Sequence, residues 1–416
     1  MIFEGKINLS ESKTVKKIDF DVPRNASKPT VRFEYSPTSL GPVQNHVNLL
    51  FYDSLGRFMG RYDRGTKNFV VAPQASEAAV QTRPLPGRWT VFFENHYLFS
   101  DVHYRLEILC EGEEGFKTFK GEFHTHSRHS DGTLSVSELS MFLKEKGFDF
   151  FFLTDHSNIS GWRELEELPG AVGFPGQEMN TFKGHALVLG GKTFIDWKDR
   201  EGREKDFDEI VREAHAQNAL IGVAHPFVMG EPACVGCKWT YEFDPFDADF
   251  VEVWNADLSR LELNYEAIGS WLKAVRSGKR VIATAGRDLH TKDERDWMAN
   301  YVSARSLELI EVLWSIKFGR TYLSSIGEVN IDISGNNVGE TAKHDGNVFL
   351  RIENLPKSNL LVVTKKKVRS FNVYGTFEER IEVGEKEDLL TLLAFDEKER
   401  PILISNPIYL TRGEQR

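Results

Sequence analysis

The chain has 416 residues, 40% of them hydrophobic, 12% aromatic and 27% charged, which is the composition of a folded protein of two or three domains and sets aside disorder for most of its length. A formal charge of −10 opposes a general basic face for nucleic-acid phosphates, and no run approaches the roughly 20 apolar residues that cross a bilayer. With no basic and apolar leader in the first ten residues, and only Cys110, Cys234 and Cys237 as cysteines, the expectation is a cytoplasmic protein without a membrane or nucleic-acid partner rather than a disulfide-stapled secreted scaffold.

Up to about residue 119 short alternating apolar runs are broken by turn residues. Thr30–Tyr35, His46–Tyr52, Arg88–Phe93 behind the turn at 84–87, and Val102–Leu109 all read as strands. Several such strands in series predict an N-terminal β-sandwich, 1–119. From 120 the pattern becomes strand then helix. The run 121–126 reads as a strand, and Ser135 and Glu138 stand in capping-box spacing before a helix that stops near Gly147. Strands are expected at 149–154, 185–189, 219–224, 249–254 and 281–286, and helices at 206–217, 261–277 and 304–318. Parallel strands alternating with helices over 120–326 predict an α/β barrel, with chemistry at the C-terminal strand ends. From Gly327 alternation returns, so a small C-terminal β domain, 327–416, closes the chain, with Lys365–Lys367 as a solvated strand edge. No internal repeat is visible.

Metal-ligand residue types recur where these strands end. His124 and His126 lie two apart on a strand, so their side chains share a face. Asp131 follows in a loop, His156 ends the second strand, Glu178 lies in Gly176–Asn180, and His185 opens the next strand. His225 ends another strand, and Asp288 and His290 stand two apart after the last. Eight of the twelve histidines fall between 124 and 290. One histidine at a strand end is usually a hydrogen-bonding residue, but six with three carboxylates, all at strand ends, are hard to place by packing needs alone.

In order and spacing, His124-Thr125-His126, His129-Ser130-Asp131-Gly132, Thr154-Asp155-His156, Gln177-Glu178, Gly184-His185, Ala224-His225-Pro226 and Gly286–His290 resemble the PHP (polymerase and histidinol phosphatase) superfamily of metallohydrolases over about 121–325. Cys234–Trp239, Glu252–Asn255, Gly319–Leu323 and Ile404–Leu410 are similar to its CehA/McbA (carbaryl-hydrolase-like) group. The resemblance implies a distorted (β/α)7 barrel holding two or three divalent ions. It implies His124, His126, Glu178 and Asp288 on one ion, Glu178 bridging to a second held by His185 and His225, and Asp131, His156 and His290 on a third, with Glu178, Asp288 and His225 as the catalytic set. Two ions sharing a carboxylate can make hydroxide from bound water and stabilise the charge on a leaving oxygen. Imidazole and carboxylate ligands suit zinc, manganese or iron alike.

His129 has three open readings: a group acting behind the ligands, an additional ligand, or a surface residue. With Arg128, Lys183 and Arg287 it is also a candidate for substrate binding, since arginine forms paired hydrogen bonds to phosphate oxygens. The alternative for the cations is ion pairing with the excess acidic residues. His215 falls on a predicted helix and reads as structural. Cys234 and Cys237 read as a redox pair, half of a zinc site, or packing beneath a loop. Trp239 and Trp254 line a substrate pocket or fill the core. The sequence thus predicts a phosphoesterase acting on a small-molecule phosphate ester. A carbamate, carboxylic ester or amide hydrolase with the same centre is the alternative, and a non-catalytic binding protein the third.

Overall fold

The structure is a computed structural model that describes residues 1–23, 26–66, 68–72, 74–82, 84–85, 87–112, 115–293, 295, 298–384 and 387–412. Pro86 of the predicted turn and residues 413–416 of the last predicted domain lie outside the described residues. The chain divides into two compact units, Met1–Phe116 and Lys117–Arg416.

The first unit carries β1 (Ile2–Ile7), β2 (Thr14–Val22), β3 (Ala26–Ser36), β4 (Ser39–Leu40), β5 (Val43–Gln44), β6 (His46–Tyr52), β7 (Phe58–Tyr62), β8 (Phe69–Val70), β9 (Gly87–Tyr97) and β10 (Val102–Gly112). Period-two patterning does the work: Val47, Leu49 and Phe51 of β6 are buried while their neighbours are not, as a sheet with one wet face requires. Two four-stranded antiparallel sheets result, in the orders β1-β10-β3-β8 and β2-β9-β6-β7. Their apolar faces meet in one core, where Phe33 of the first sheet packs edge-on to Phe93 of the second at 5.6 Å. The four strands read from the sequence all lie in these sheets.

The second unit begins with β11 (Lys117–Thr125), α1 (Val136–Glu145), β12 (Phe150–Leu153), β13 (Val172–Asn180), β14 (His185–Leu189), α2 (Phe207–Ala216), β15 (Leu220–Val223), β16 (Phe250–Asn255), α3 (Leu261–Arg276) and β17 (Ile282–Gly286). The predicted capping box is formed: the Ser135 hydroxyl accepts the Glu138 amide, and the Glu138 carboxylate accepts the Ser135 amide at 2.8 Å. Two expectations need correction. The strands are not all parallel, because a tight hairpin through 181–184 turns β13 into β14, and β14 pairs antiparallel with both β13 and β15. The helix expected over 304–318 is present but starts later, as α4 (Leu309–Lys317), Ala304 being the last residue of β18 (Ala299–Ala304). Beyond β17, Thr125 bridges Leu289 in parallel, with the Leu289 amide donating to the His124 carbonyl at 3.1 Å and the His126 amide to the Leu289 carbonyl at 2.9 Å. One bridge thus ties the segment just past β17 to β11, while β17 itself stands at the end of the sheet order.

β19 (Thr321–Ser324), β20 (Asn330–Ile333), β21 (Thr341–His344), β22 (Asn347–Thr364), β23 (Val368–Glu382), β24 (Leu389–Phe395), β25 (Pro401–Ser405) and β26 (Ile408–Arg412) follow. They extend the same mixed sheet, since β18 pairs antiparallel with β11 and the order runs on through β19, β25, β24, β22 and β20. Leu139 and Phe142 of α1 share a core with Leu360, Leu392 and Leu403. Two buried asparagines serve the free edge of β17. Asn406 accepts the Ala283 amide at 2.8 Å and donates to its carbonyl at 3.0 Å, and Asn300 does the same for Ala285 at 2.9 and 2.7 Å. No described helix is long and apolar enough to cross a membrane.

Candidate metal centre

Where β11 and β12 end, where β13 and β14 meet, and where β15 and β17 end, polar side chains turn toward one another. The Glu178 carboxylate lies at the middle of this group, with no exposure to solvent. Its Oε2 is 3.1 Å from His124 Nε2, 3.3 Å from His126 Nε2 and 2.8 Å from His156 Nδ1. Its Oε1 is 3.0 Å from His185 Nδ1 and 3.2 Å from His225 Nε2. Asp288 Oδ1 lies 3.5 Å from His124 Nε2 and 3.2 Å from His126 Nε2. On the outer side Asp131 Oδ1 is 3.4 Å from His156 Nε2 and 3.2 Å from His290 Nε2. All nine sequence-derived ligand candidates thus gather in one place.

Side chains spaced to share an ion form overlapping groups: His124, His126, Glu178 and Asp288; His126, Asp131, His156 and His290; His185, His225 and Cys237; and His124, His225 and Glu252. Chemistry supports a cation among them. His124 Nε2, both His126 ring nitrogens, His156 Nδ1 and Glu178 Oε2 are buried without a well-aligned hydrogen-bond partner, a costly state for polar atoms unless a cation is shared between them. Burial disfavours the Glu178 charge, yet His124, His156 and His185 outweigh it and hold that carboxyl well below the usual range. At Asp288 burial is likewise overcome, by His124 and His126. Burial lowers His126, whereas at His124 the carboxylates of Glu178, Glu252 and Asp288 prevail over burial and raise it well above its ordinary value.

Backbone conformation helps to aim these groups. His225 and Asp288 adopt positive φ, 29° and 56°, strain that non-glycine residues hold only where surroundings impose it. Gly286 is required by space, since a Cβ there would overlap the Glu252 carboxylate.

Several residues behind the ligands escaped sequence reasoning. Glu252, in the apolar strand β16, accepts from His124 Nδ1 at 3.0 Å and from the His225 amide at 2.9 Å. With Nδ1 donating to Glu252, Nε2 is the nitrogen that His124 would offer to a cation held beside Glu178 and Asp288. Asp155 accepts the Ser127 amide and hydroxyl and the Ser130 hydroxyl at 2.7–2.8 Å, fixing the loop that carries Asp131. Glu122 accepts the backbone amides of His124 and Arg287 at 3.1 and 2.9 Å. Arg260 stands 3.6 Å from Asp288 Oδ2. A lone acidic residue inside an apolar run was the only available signal for Glu252.

The candidates for substrate binding are engaged elsewhere. Arg128 pairs with Glu138 at 3.1 Å, Lys183 with Glu204 at 2.9 Å, and Arg287 with Asp257 at 3.4 Å and with Asp293. His129 lies between Ser160 and Glu164, at 2.8 and 2.7 Å. His215 on α2 bonds Asp249 at 2.8 Å. Trp239 packs against Phe207 and Tyr241, and buried Trp254 borders a cavity of about 440 Å³ with Asp257, Met298 and Arg400. Cys234 and Cys237 are joined by a disulfide bond.

No protein-family model matches the chain, and no curated protein does. Among solved structures it is similar to a two-domain Bacteroides vulgatus protein containing a predicted PHP-like metal-dependent phosphoesterase, with 17% identity, 73% of this chain and 98% of that one covered, and a TM-score of 0.42. It is similar also to a Bifidobacterium adolescentis protein described as a metal-dependent phosphoesterase (14% identity, 41% and 87% covered, TM-score 0.29). A third similarity is to an amidohydrolase from Chromobacterium violaceum with bound sulfate and no metal (13% identity, 48% and 96% covered, TM-score 0.30).

Proposed function

We propose that the chain is a metal-dependent hydrolase of the PHP superfamily, of its carbaryl-hydrolase-like group, acting on a small-molecule phosphate ester. The observation that carries this reading is the Glu178 carboxylate, which faces three imidazoles with one oxygen and two with the other. In this reading His124, His126, Glu178 and Asp288 hold one ion, and His185 and His225 share Glu178 with a second. Asp131, His156 and His290 hold a third, zinc, manganese or iron being suited alike to these donors. Ions so held would acidify a water molecule and stabilise negative charge developing on the substrate. Glu178, Asp288 and His225 are the catalytic residues, and Glu252 positions His124 and His225. The bridge from Leu289, just past β17, to Thr125 of β11 supports a distorted seven-stranded barrel over 120–326, with 1–119 and 327–416 as flanking β domains.

A second reading, hydrolysis of a carbamate, carboxylic ester or amide, is favoured by one observation: Arg128, Lys183 and Arg287 are each paired with a carboxylate. A phosphoryl group needs cationic partners for its equatorial oxygens, whereas an acyl group needs a single oxyanion site. The experiment is turnover by manganese- or zinc-loaded protein of aryl phosphate mono- and diesters against aryl carbamates and carboxylic esters, with Asp288→Ala as control. Phosphate turnover lost in the variant supports the first reading. Turnover of carbamates or esters alone moves the chain to the second.

A further inference from the structure

Cys237 belongs to the wall of this centre. Its side chain is 1% exposed, its Sγ lies 3.9 Å from His185 Nδ1, and it forms with His185 and His225 one of the groups spaced to share an ion. The loop that presents it is held on both sides. The Gly236 amide donates to Glu231 at 2.7 Å, and Gly236, at φ +72°, lies so close to the Thr181 carbonyl that a Cβ would strike it. The loop also orients His185. The Val235 carbonyl stands 3.3 Å from His185 Nε2, and a carbonyl only accepts, so Nε2 carries the ring proton. The Asn180 side-chain nitrogen lies 3.2 Å from the same ring nitrogen, and exchanging the two ends of that amide brings its otherwise unpartnered oxygen there as an acceptor. The Nδ1 lone pair then faces Glu178 and Cys237.

We propose that Cys237 is a metal-binding residue whose availability is set by its bond to Cys234. A dithiol reductant supplies two electrons and two protons, the sulfur–sulfur bond breaks, and two thiols form while the reductant becomes a disulfide. The Cys237 thiol then gives up its proton to solvent as it takes a cation together with His185 and His225, a soft third donor that favours zinc over magnesium or calcium. In the oxidised chain that sulfur is tied to Cys234, and the position has only its two imidazoles and Glu178. The proposal rests on the reading of this site as a metal centre.

Cobalt(II) in place of the native metal tests it, since a thiolate ligand gives a sulfur-to-cobalt charge-transfer band in the near ultraviolet. Cys234→Ser, which cannot form the bond and alters a residue away from the ligand atoms, is expected to show the band without any reductant. Oxidised wild type is expected to lack it, and to gain it after reduction by a dithiol and removal of the reagent. Cys237→Ser is expected to lack it at the same bound cobalt. Bound cobalt without the band in Cys234→Ser overturns the assignment of Cys237, whatever the folding of Cys237→Ser. A band in oxidised wild type overturns the dependence on the disulfide. Absence of cobalt binding in all three proteins overturns the metal-centre reading and this proposal with it.

Discussion

His124 and Glu252 share a hydrogen bond of 3.0 Å sealed from solvent, across 128 positions of sequence. Removing the charge of the acceptor while keeping its size isolates what that bond does. Glu252→Gln is expected to weaken metal binding roughly 10- to 100-fold with little change in far-ultraviolet circular dichroism. Competition with a chromophoric chelator measures the affinity, and an unchanged value would mean that Glu252 only packs.

Glu178 faces five imidazoles, so in the proposed centre its loss would act on more than one ion. Glu178→Ala is expected to lower both metal content and turnover. Elemental analysis of folded variant protein decides: a metal content equal to wild type would remove the bridging assignment.

Asp257 offers a test in acid. Burial pushes its carboxyl up, but hydrogen bonds from Ser259 and the charges of Arg287 and Arg295 outweigh this and hold it at about 2, below an ordinary 3.8. A folded value below the unfolded one gives stability that is present above the unfolded value and is lost as pH falls through the folded one. Asp257→Asn is therefore expected to cost about 2 kcal/mol at neutral pH, with the gap in melting temperature closing between about pH 4 and pH 2. A gap that stays constant across that window would contradict the assignment.

Asn406 satisfies both backbone groups of Ala283 and donates to the Thr321 carbonyl at 3.1 Å. Asn406→Ala leaves the backbone amide and carbonyl of Ala283 buried without this partner, an expected loss of about 1–3 kcal/mol, read by urea denaturation. Stability within a few tenths of wild type would show that water replaces the amide.

Most of the ligand candidates were legible because they interrupt apolar runs at strand ends, where a sequence shows polar residues most clearly. The α1 cap was legible because Ser135 and Glu138 contact each other locally. β13 was not, since Gly173, Pro175 and Gly176 imitate a turn. In the structure the glycines instead let neighbours close in, a Cβ at 176 falling 2.8 Å from the Thr154 methyl and one at 173 falling 2.6 Å from Leu165. The start of α4 was misplaced because the pairing of β18 with β11 is a long-range choice that local pattern does not carry. Glu252 was missed for the same reason: its partner His124 lies 128 positions away and is brought to it only by the fold. The cations beside the ligands could be named from sequence but not their carboxylate partners, as Arg287 and Asp257 show.

The asparagines that serve β17 make the order of synthesis matter. Strands β11 to β17 are complete by residue 286, yet the second amide that satisfies the last of them comes from residue 406. A nascent chain therefore presents an unfinished strand edge for some 120 residues, at roughly 5–20 residues per second a wait of seconds. Such an edge is a template for another chain. For this fold that template is open during synthesis, until residue 406 is available to close it.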